Sequence, residues 1–365
     1  MSLRAKRSNP DMDRHGDKSP RDDGVIKYLK VQNFRKHQIY EVNFFKNHSI
    51  IVGENGVGKT SLIEAIYIAL TGKSWRSNFD EITKQKKDWW RVDVVFNNGN
   101  KRTIKFQNNQ KTFEVDGKKF SRLPTKNKIP VILFEPSDLN LLYNSPAARR
   151  DFIDKFISGI DPKHQKNLNK YERILRQRNN LLKDAASKNE LFVWDIQFAD
   201  LASDIIISRI EMINKINKII SREYQKIAGK KDKIFLKYSY QTLIEKNKLR
   251  QNILADLHHS YDRELILGYT TLGPHQHDIL FEFNNKPAST TASRGENRTI
   301  IWALKNIEYQ FNSDNSPLIL LDDILSEFDE NHQNNLIKSF SNQQIIITGV
   351  KPPKTHKLLA IFRIM

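Results

Sequence analysis

The sequence predicts an α/β fold, a sheet-and-helix body interrupted by an inserted helical lobe. Three features predict it. At 49–72 the apolar run SIIV passes through GENGVGKT into SLIEAIYIALTG, which is apolar at helical spacing and ends in glycine. At 318–323 the run LILL ends in two aspartates, and its uniformity suits a strand buried on both faces of a parallel sheet. Between them, from about 146 to 229, apolar residues recur every three and four positions.

Taken in order, residues 1–24 hold almost no apolar side chains and predict a disordered tail. VIKYLKVQNF alternates as a strand, and EVNFF and HSIIVG read as two more. After the first helix, VDVVF, KRTIKF and KTFEVD are short β-rich runs separated by NNGN and NNQ, a hairpin region at about 88–120. IPVILFEP reads as a buried strand. KNLNKYERILRQRNNLLKD and the long run from FADLASD to EYQKI are helical but lack sustained heptads, so they predict an antiparallel bundle or arm. Strand-like runs return at IFLKYSY, DILFEFN, PLILLDD and QQIIITG. The body is therefore discontinuous: 25–145 with 266–365, and a helical lobe at 146–265.

Composition narrows the partners. Sixty Lys and Arg against 42 Asp and Glu leave the 365-residue chain at +18. Residues 73–128 alone hold 15 basic and 6 acidic side chains. Such surface favours a polyanion, nucleic acid above all, because it neutralises phosphates and releases counterions. There is no cysteine, which excludes a disulfide framework and thiolate metal sites. No apolar run is long enough to span a bilayer, and a soluble, cytoplasmic protein is expected.

Gly53, Glu54, Asn55, Gly56, Val57, Gly58, Lys59 and Thr60 fit G-x-x-x-x-G-K-[ST], between a strand and a helix as that motif requires; Ser61 follows. Its glycines let backbone N–H groups turn inward on phosphates, and the helix N-terminus adds a field that favours anions. Lys59 is expected on the β and γ phosphates of ATP and Thr60 on Mg2+. The loop alone does not separate kinases, GTPases, transporters and repair ATPases. Asp322, at the C-terminal end of its strand, is the expected second metal residue, and Asp323 is placed to orient or deprotonate the attacking water.

The form G-x-N-G-x-G-K-T resembles the ABC-type ATPase heads of SMC and related repair proteins, a P-loop NTPase fold. Those heads carry a Ser-x-Gly-acid signature before a helix, matched here by Ser293, Arg294, Gly295 and Glu296. LKVQNFR at 29–35, GKSWR at 72–76, PSDLNLLYNSPAARRDFID at 136–154 and TLGPHQHD at 271–278 are similar to segments of the RecF family. Departures are Ser137, Asn144, Gln276, His277 and Phe328, and no switch histidine follows IIIT. The resemblance implies an ATP-driven homodimer in which Ser293, Gly295 and Glu296 of one copy meet the γ-phosphate held by the other. It implies binding to single- and double-stranded DNA at gaps or junctions, slow DNA-dependent hydrolysis, RecR and RecO as partners, and RecA loading as the indirect outcome. A different SMC-like repair ATPase and a non-hydrolysing ATP-gated scaffold are the alternatives.

For DNA phosphates the chosen residues are Arg76, Lys84, Lys86, Lys87, Arg91, Lys101, Arg102 and Lys105, with Trp75, Trp89 and Trp90 divided between base stacking and core. His275 and His277 read as a structural turn rather than a metal site. Arg149 and Arg150 pair with buried acids, or else touch nucleotide or DNA.

Overall fold

The computed structural model describes residues 25–44, 48–240, 245–312, 316–340, 343–353 and 360–364. The tail expected at 1–24 lies outside the described residues. The body opens with β1 (Ile26–Phe34), β2 (His37–Asn43) and β3 (His48–Val52), then α1 (Lys59–Thr71). Next come β4 (Trp89–Phe96), β5 (Lys101–Gln107), β6 (Gln110–Val115) and β7 (Lys118–Phe120), followed by β8 (Val131–Phe134). β1, β2 and β4–β7 form one antiparallel sheet in the order β2-β1-β4-β5-β6-β7. The NNQ turn works because Asn108 and Asn109 both take left-handed φ, 50° and 56°, which a two-residue hairpin needs.

The inserted part runs through α2 (Pro146–Ile160), α3 (Pro162–Lys183), α4 (Lys188–Asn217), α5 (Ile220–Ala228), β9 (Ile234–Tyr238) and α6 (Lys246–Leu267). Ser145 and Asp161 accept N–H bonds at the starts of α2 and α3, each followed by proline at the first helical position. α4 runs antiparallel to α3 and to α6. Near one end Asp204 of α4 meets Asn167 of α3 and Lys246 of α6; near the other Arg178 of α3 meets Asp195 of α4 and Glu264 of α6. β10 (Ile279–Phe283) then pairs with β9 and with β11 (Lys286–Pro287). The small sheet therefore crosses the boundary read at 265/266: residues 279–284 hydrogen-bond to the inserted lobe. Alternation marks a strand, but only the partner strand says which sheet it joins.

α7 (Ala288–Thr291) and α8 (Arg294–Asn312) lead back to the body, with β12 (Leu318–Leu321), α9 (Glu330–Ser339), β13 (Ile345–Gly349) and β14 (Ala360–Arg363). β14-β3-β13-β12-β8 is an all-parallel sheet. It is buried on both faces, as its apolar runs predict. Ile51, Leu318, Leu320 and Ile346 pack with α1 and the antiparallel sheet. Ile50, Ile319, Leu321, Ile345 and Ile347 pack on the other side with α8 and the inserted lobe. β3, β12 and β13 thus end side by side, the glycine loop beside both aspartates.

Candidate nucleotide site

The loop 53–60 is held at its entry by Gly53 N–H, which donates to Gly349 O at 3.2 Å. Gly56 and Gly58 take φ of 84° and 106°, values side chains resist. A Cβ on Gly58 would lie 2.4 Å from His37 Nε2, so glycine is required there for space as well as conformation. Lys59 is buried, and its ammonium donates to Gly53 O and Glu54 O at 2.8 and 2.9 Å, curling the loop around its own cation. Glu54, Asn55 and Gly56 are exposed, Val57 and Gly58 half-buried, and Ser61 lies buried in α1. Lys36 Nζ donates to Gly56 O at 2.6 Å and His37 Nε2 meets Gly58 O at 3.0 Å. Neither residue was chosen from the sequence; their only signal is position, just after the Asn-Phe-Arg segment. Burial lowers the His37 pKa, partly offset by its hydrogen bond to Gly58.

Across the loop, Thr60 Oγ1 donates to Asp322 Oδ1 at 3.0 Å, joining residues 262 apart in sequence. Thr348 Oγ1 donates to the same oxygen at 2.7 Å and accepts the Asp323 N–H at 3.0 Å. Burial raises the Asp322 pKa; the two hydroxyls and the positive charge of Arg76 pull it back, and Asp323 adds to the rise. The strand breaks at Asp323, whose φ is 53° and whose Oδ1 is buried without a hydrogen-bond partner. The donors gathered here, a hydroxyl and two carboxylates with one orphaned oxygen, fit a hard divalent cation such as Mg2+. The glycine cradle and α1 N-terminus fit a polyphosphate.

The Ser293–Glu296 segment stands apart. Ser293 Oγ accepts the Glu296 N–H at 3.3 Å and Glu296 Oε2 accepts the Ser293 N–H at 2.9 Å, a reciprocal cap on α8. A Cβ on Gly295 would meet nothing within 4 Å. Among the described residues no hydrogen bond or ion pair joins 293–296 to 53–61. Behind the cap, Arg298 donates to the Glu327 carbonyl at 2.8 Å and to its carboxylate, tying α8 to the turn after β12.

The residues chosen for DNA divide. Arg102 is a correction: it is 5 % exposed, and its guanidinium donates to Ala69 O and Asn127 O, both at 2.6 Å. Ala69 O lies in the last turn of α1, where carbonyls lack helical partners and a cation is favoured. Arg102 shares the inward face of β5 with Ile104 and Phe106, so it cannot reach a phosphate. Arg91 is paired with Asp93 at 2.8 Å, and Lys84 donates to Lys36 O. Lys86, Lys87, Lys101, Lys105 and Arg76 are exposed. Trp90 is core, and Trp75 Nε1 donates to Glu135. Arg149 grips Asp278 with two hydrogen bonds and Arg150 donates to His277 O, so both pair inside the fold. His275 is bonded to Tyr171 and Thr270, and His277 to Tyr238, which makes them a structural turn.

A family model described as "RecF/RecN/SMC N terminal domain" matches residues 25–365. The DNA replication and repair protein RecF of Agathobacter rectalis is 33% identical over 347 residues, covering 89% of this chain and 91% of the relative. That of Clostridium acetobutylicum is 34% identical over 341 residues, covering 88% and 92%. The structure of the recombination mediator protein RecF-ATP in the RecFOR pathway superposes with a TM-score of 0.79 at 26% identity, over 89% of this chain and 93% of that one. The corresponding RecF-ATPrS structure gives 0.83 at 25% identity, over 95% and 98%. The chain belongs to the RecF family, and its body is an ABC-type ATPase head.

Proposed function

We propose that the chain is an ATP-dependent DNA-binding protein of recombinational repair and replication restart. In this reading two copies close as a clamp on DNA at gaps or at junctions of single and double strand. The observation that carries it is the Thr60–Asp322–Thr348 hydrogen-bonded group at the mouth of the glycine loop. It brings a loop built for phosphates against carboxylates suited to a metal. Thr60 and Asp322 would hold Mg2+, which would supply positive charge against the phosphates.

The chain's own residues do the rest. Lys59, already turned into the loop, exchanges its backbone acceptors for phosphate oxygens. Asp322 is held in one orientation by two hydroxyls. Asp323, with its unpaired oxygen, takes the role of orienting water. The capped start of α8, with open space around Gly295, is free to meet the γ-phosphate held by a second copy. One anion then attracts groups from both chains, and nucleotide that binds only the dimer favours the dimer by mass action. The similar RecF structures belong to the RecFOR pathway, which supports RecR and RecO as partners and RecA loading as the outcome. No helix among the described residues is long and apolar enough to cross a membrane.

Sedimentation velocity with ATP, Mg2+ and gapped DNA tests the reading. The parent should dimerise, while Lys59→Met and Ser293→Arg should stay monomeric under the same conditions. Dimerisation of either variant at the parent's level refutes the phosphate bridge. Phosphate release in a single turnover, lost in Asp323→Asn, separates a hydrolysing clamp from a scaffold that only binds ATP.

A further inference from the structure

We infer that one face of α3 is a binding ridge for the phosphate backbone of duplex DNA; this rests on the reading of the chain as a DNA-binding protein. Lys163, Lys166, Lys170, Arg173, Arg176 and Lys183 are all exposed on α3. At 3.6 residues per turn they fall within an arc of about 160° and span roughly 30 Å of helix. Three exposed amides share the arc. The one exposed carboxylate of α3, Glu172, lies at its edge. The opposite face, with Tyr171, Ile174, Arg178 and Leu182, is buried in the lobe.

The length of the unpaired row on one helix face distinguishes it from ordinary solvated surface. None of the six cations has an ion-pair partner among the described residues. They follow one another at spacings of three and four along most of the ridge. Like charges so placed repel one another and destabilise a helix. Some exposed cations elsewhere are neutralised: Lys246 sits between Asp200 and Asp204, and Arg91 is held by Asp93. On the hairpin sheet, chosen from the sequence for DNA, Asp93 and Glu114 interrupt the outward face and Arg102 is withdrawn into the core. A ridge that keeps its repulsion unrelieved is matched by a partner that brings regularly spaced negative charge. Duplex DNA does so every ~3.4 Å along each strand, and a 30 Å ridge spans about nine base pairs. Contacts of this kind position the protein without reading sequence.

The test compares two triple variants of the full chain. One is Lys166→Ala/Lys170→Ala/Arg173→Ala on the ridge. The other, Lys101→Ala/Lys105→Ala/Lys118→Ala on the hairpin sheet, removes the same charge. Binding to a fluorescent 30-base-pair duplex is measured by anisotropy from 50 to 300 mM salt, with ATP and Mg2+. Each lost phosphate contact lowers the slope of log K against log salt by about 0.9, so the ridge variant should lose about 2.7. The hairpin variant should lose less than about 1. Alanine favours helix, so circular dichroism should match the parent. An unchanged slope in the ridge variant, or equal losses in both, overturns the ridge. So does a ridge variant that binds DNA normally but no longer binds an acidic partner protein. A parent that fails to bind duplex overturns the functional reading itself, and the ridge with it.

Discussion

Thr348→Val should be among the most damaging isosteric changes in the head. Thr348 is fully buried, and its hydroxyl serves both aspartates, donating to Asp322 Oδ1 at 2.7 Å and accepting the Asp323 N–H at 3.0 Å. Valine keeps the shape and removes both bonds. A hydrogen bond to a charged acceptor contributes about 1.5–3 kcal/mol, and a buried N–H left unpaired costs about 1–3 kcal/mol. The two together predict a loss of about 3 kcal/mol or more. Thr348→Ser keeps the hydroxyl and gives up one methyl, costing about 1 kcal/mol. Urea unfolding followed by tryptophan fluorescence and far-UV circular dichroism would rank them parent, serine, valine, with valine at least about 2 kcal/mol below serine at equal m-value. The gain in melting temperature from ATP with Mg2+ should shrink in the valine variant, because Asp322 is then held by Thr60 alone. Valine and serine variants of equal stability would show that the hydroxyl does not hold the carboxylates, and the account of the site would be wrong.

Arg102→Leu should destabilise the body by about 2 kcal/mol, from the stripped α1 carbonyl and the lost charge at a helix end. It should leave the salt dependence of DNA binding unchanged; a reduced slope would return Arg102 to the DNA surface. His277 predicts a pH dependence. Burial, then the charges of Arg209, His275 and Arg150, lowers its pKa to about 4 from 6.5, and Tyr238 OH lies 2.8 Å from Nδ1. The unfolded chain therefore binds a proton that the folded one resists. This stability is fully present above pH 6.5 and is lost as pH falls toward 4, up to about 3 kcal/mol. Unfolding midpoints of the parent should fall between pH 6.5 and 5 more steeply than those of His277→Gln; identical slopes would dismiss His277 as their source.

Glycines, a lysine and a threonine between a strand and a helix announce the phosphate loop, because each answers a local requirement of backbone conformation or charge. The same holds for the run of Leu318–Leu321, whose apolar uniformity is that of a strand covered on both faces. Asn108 and Asn109 announce their hairpin for the same local reason. Thr348 had no such signal. A threonine at the end of a β-branched strand is ordinary, and only the adjacency of β12 and β13 turns its hydroxyl toward two aspartates.

Local chemistry therefore determined the fold class, the family and the candidate phosphate loop of this chain from sequence alone. Spatial pairing decided the remainder. Arg102 and Lys105 look alike in a basic strand, and the side of the sheet on which each stands makes one a helix cap and leaves the other in water. The cations of α3 look like a common helical charge pattern until the fold shows that none of them is ion-paired among the described residues. Whether a charge is neutralised depends on neighbours brought from distant parts of the chain, and composition carries no record of them.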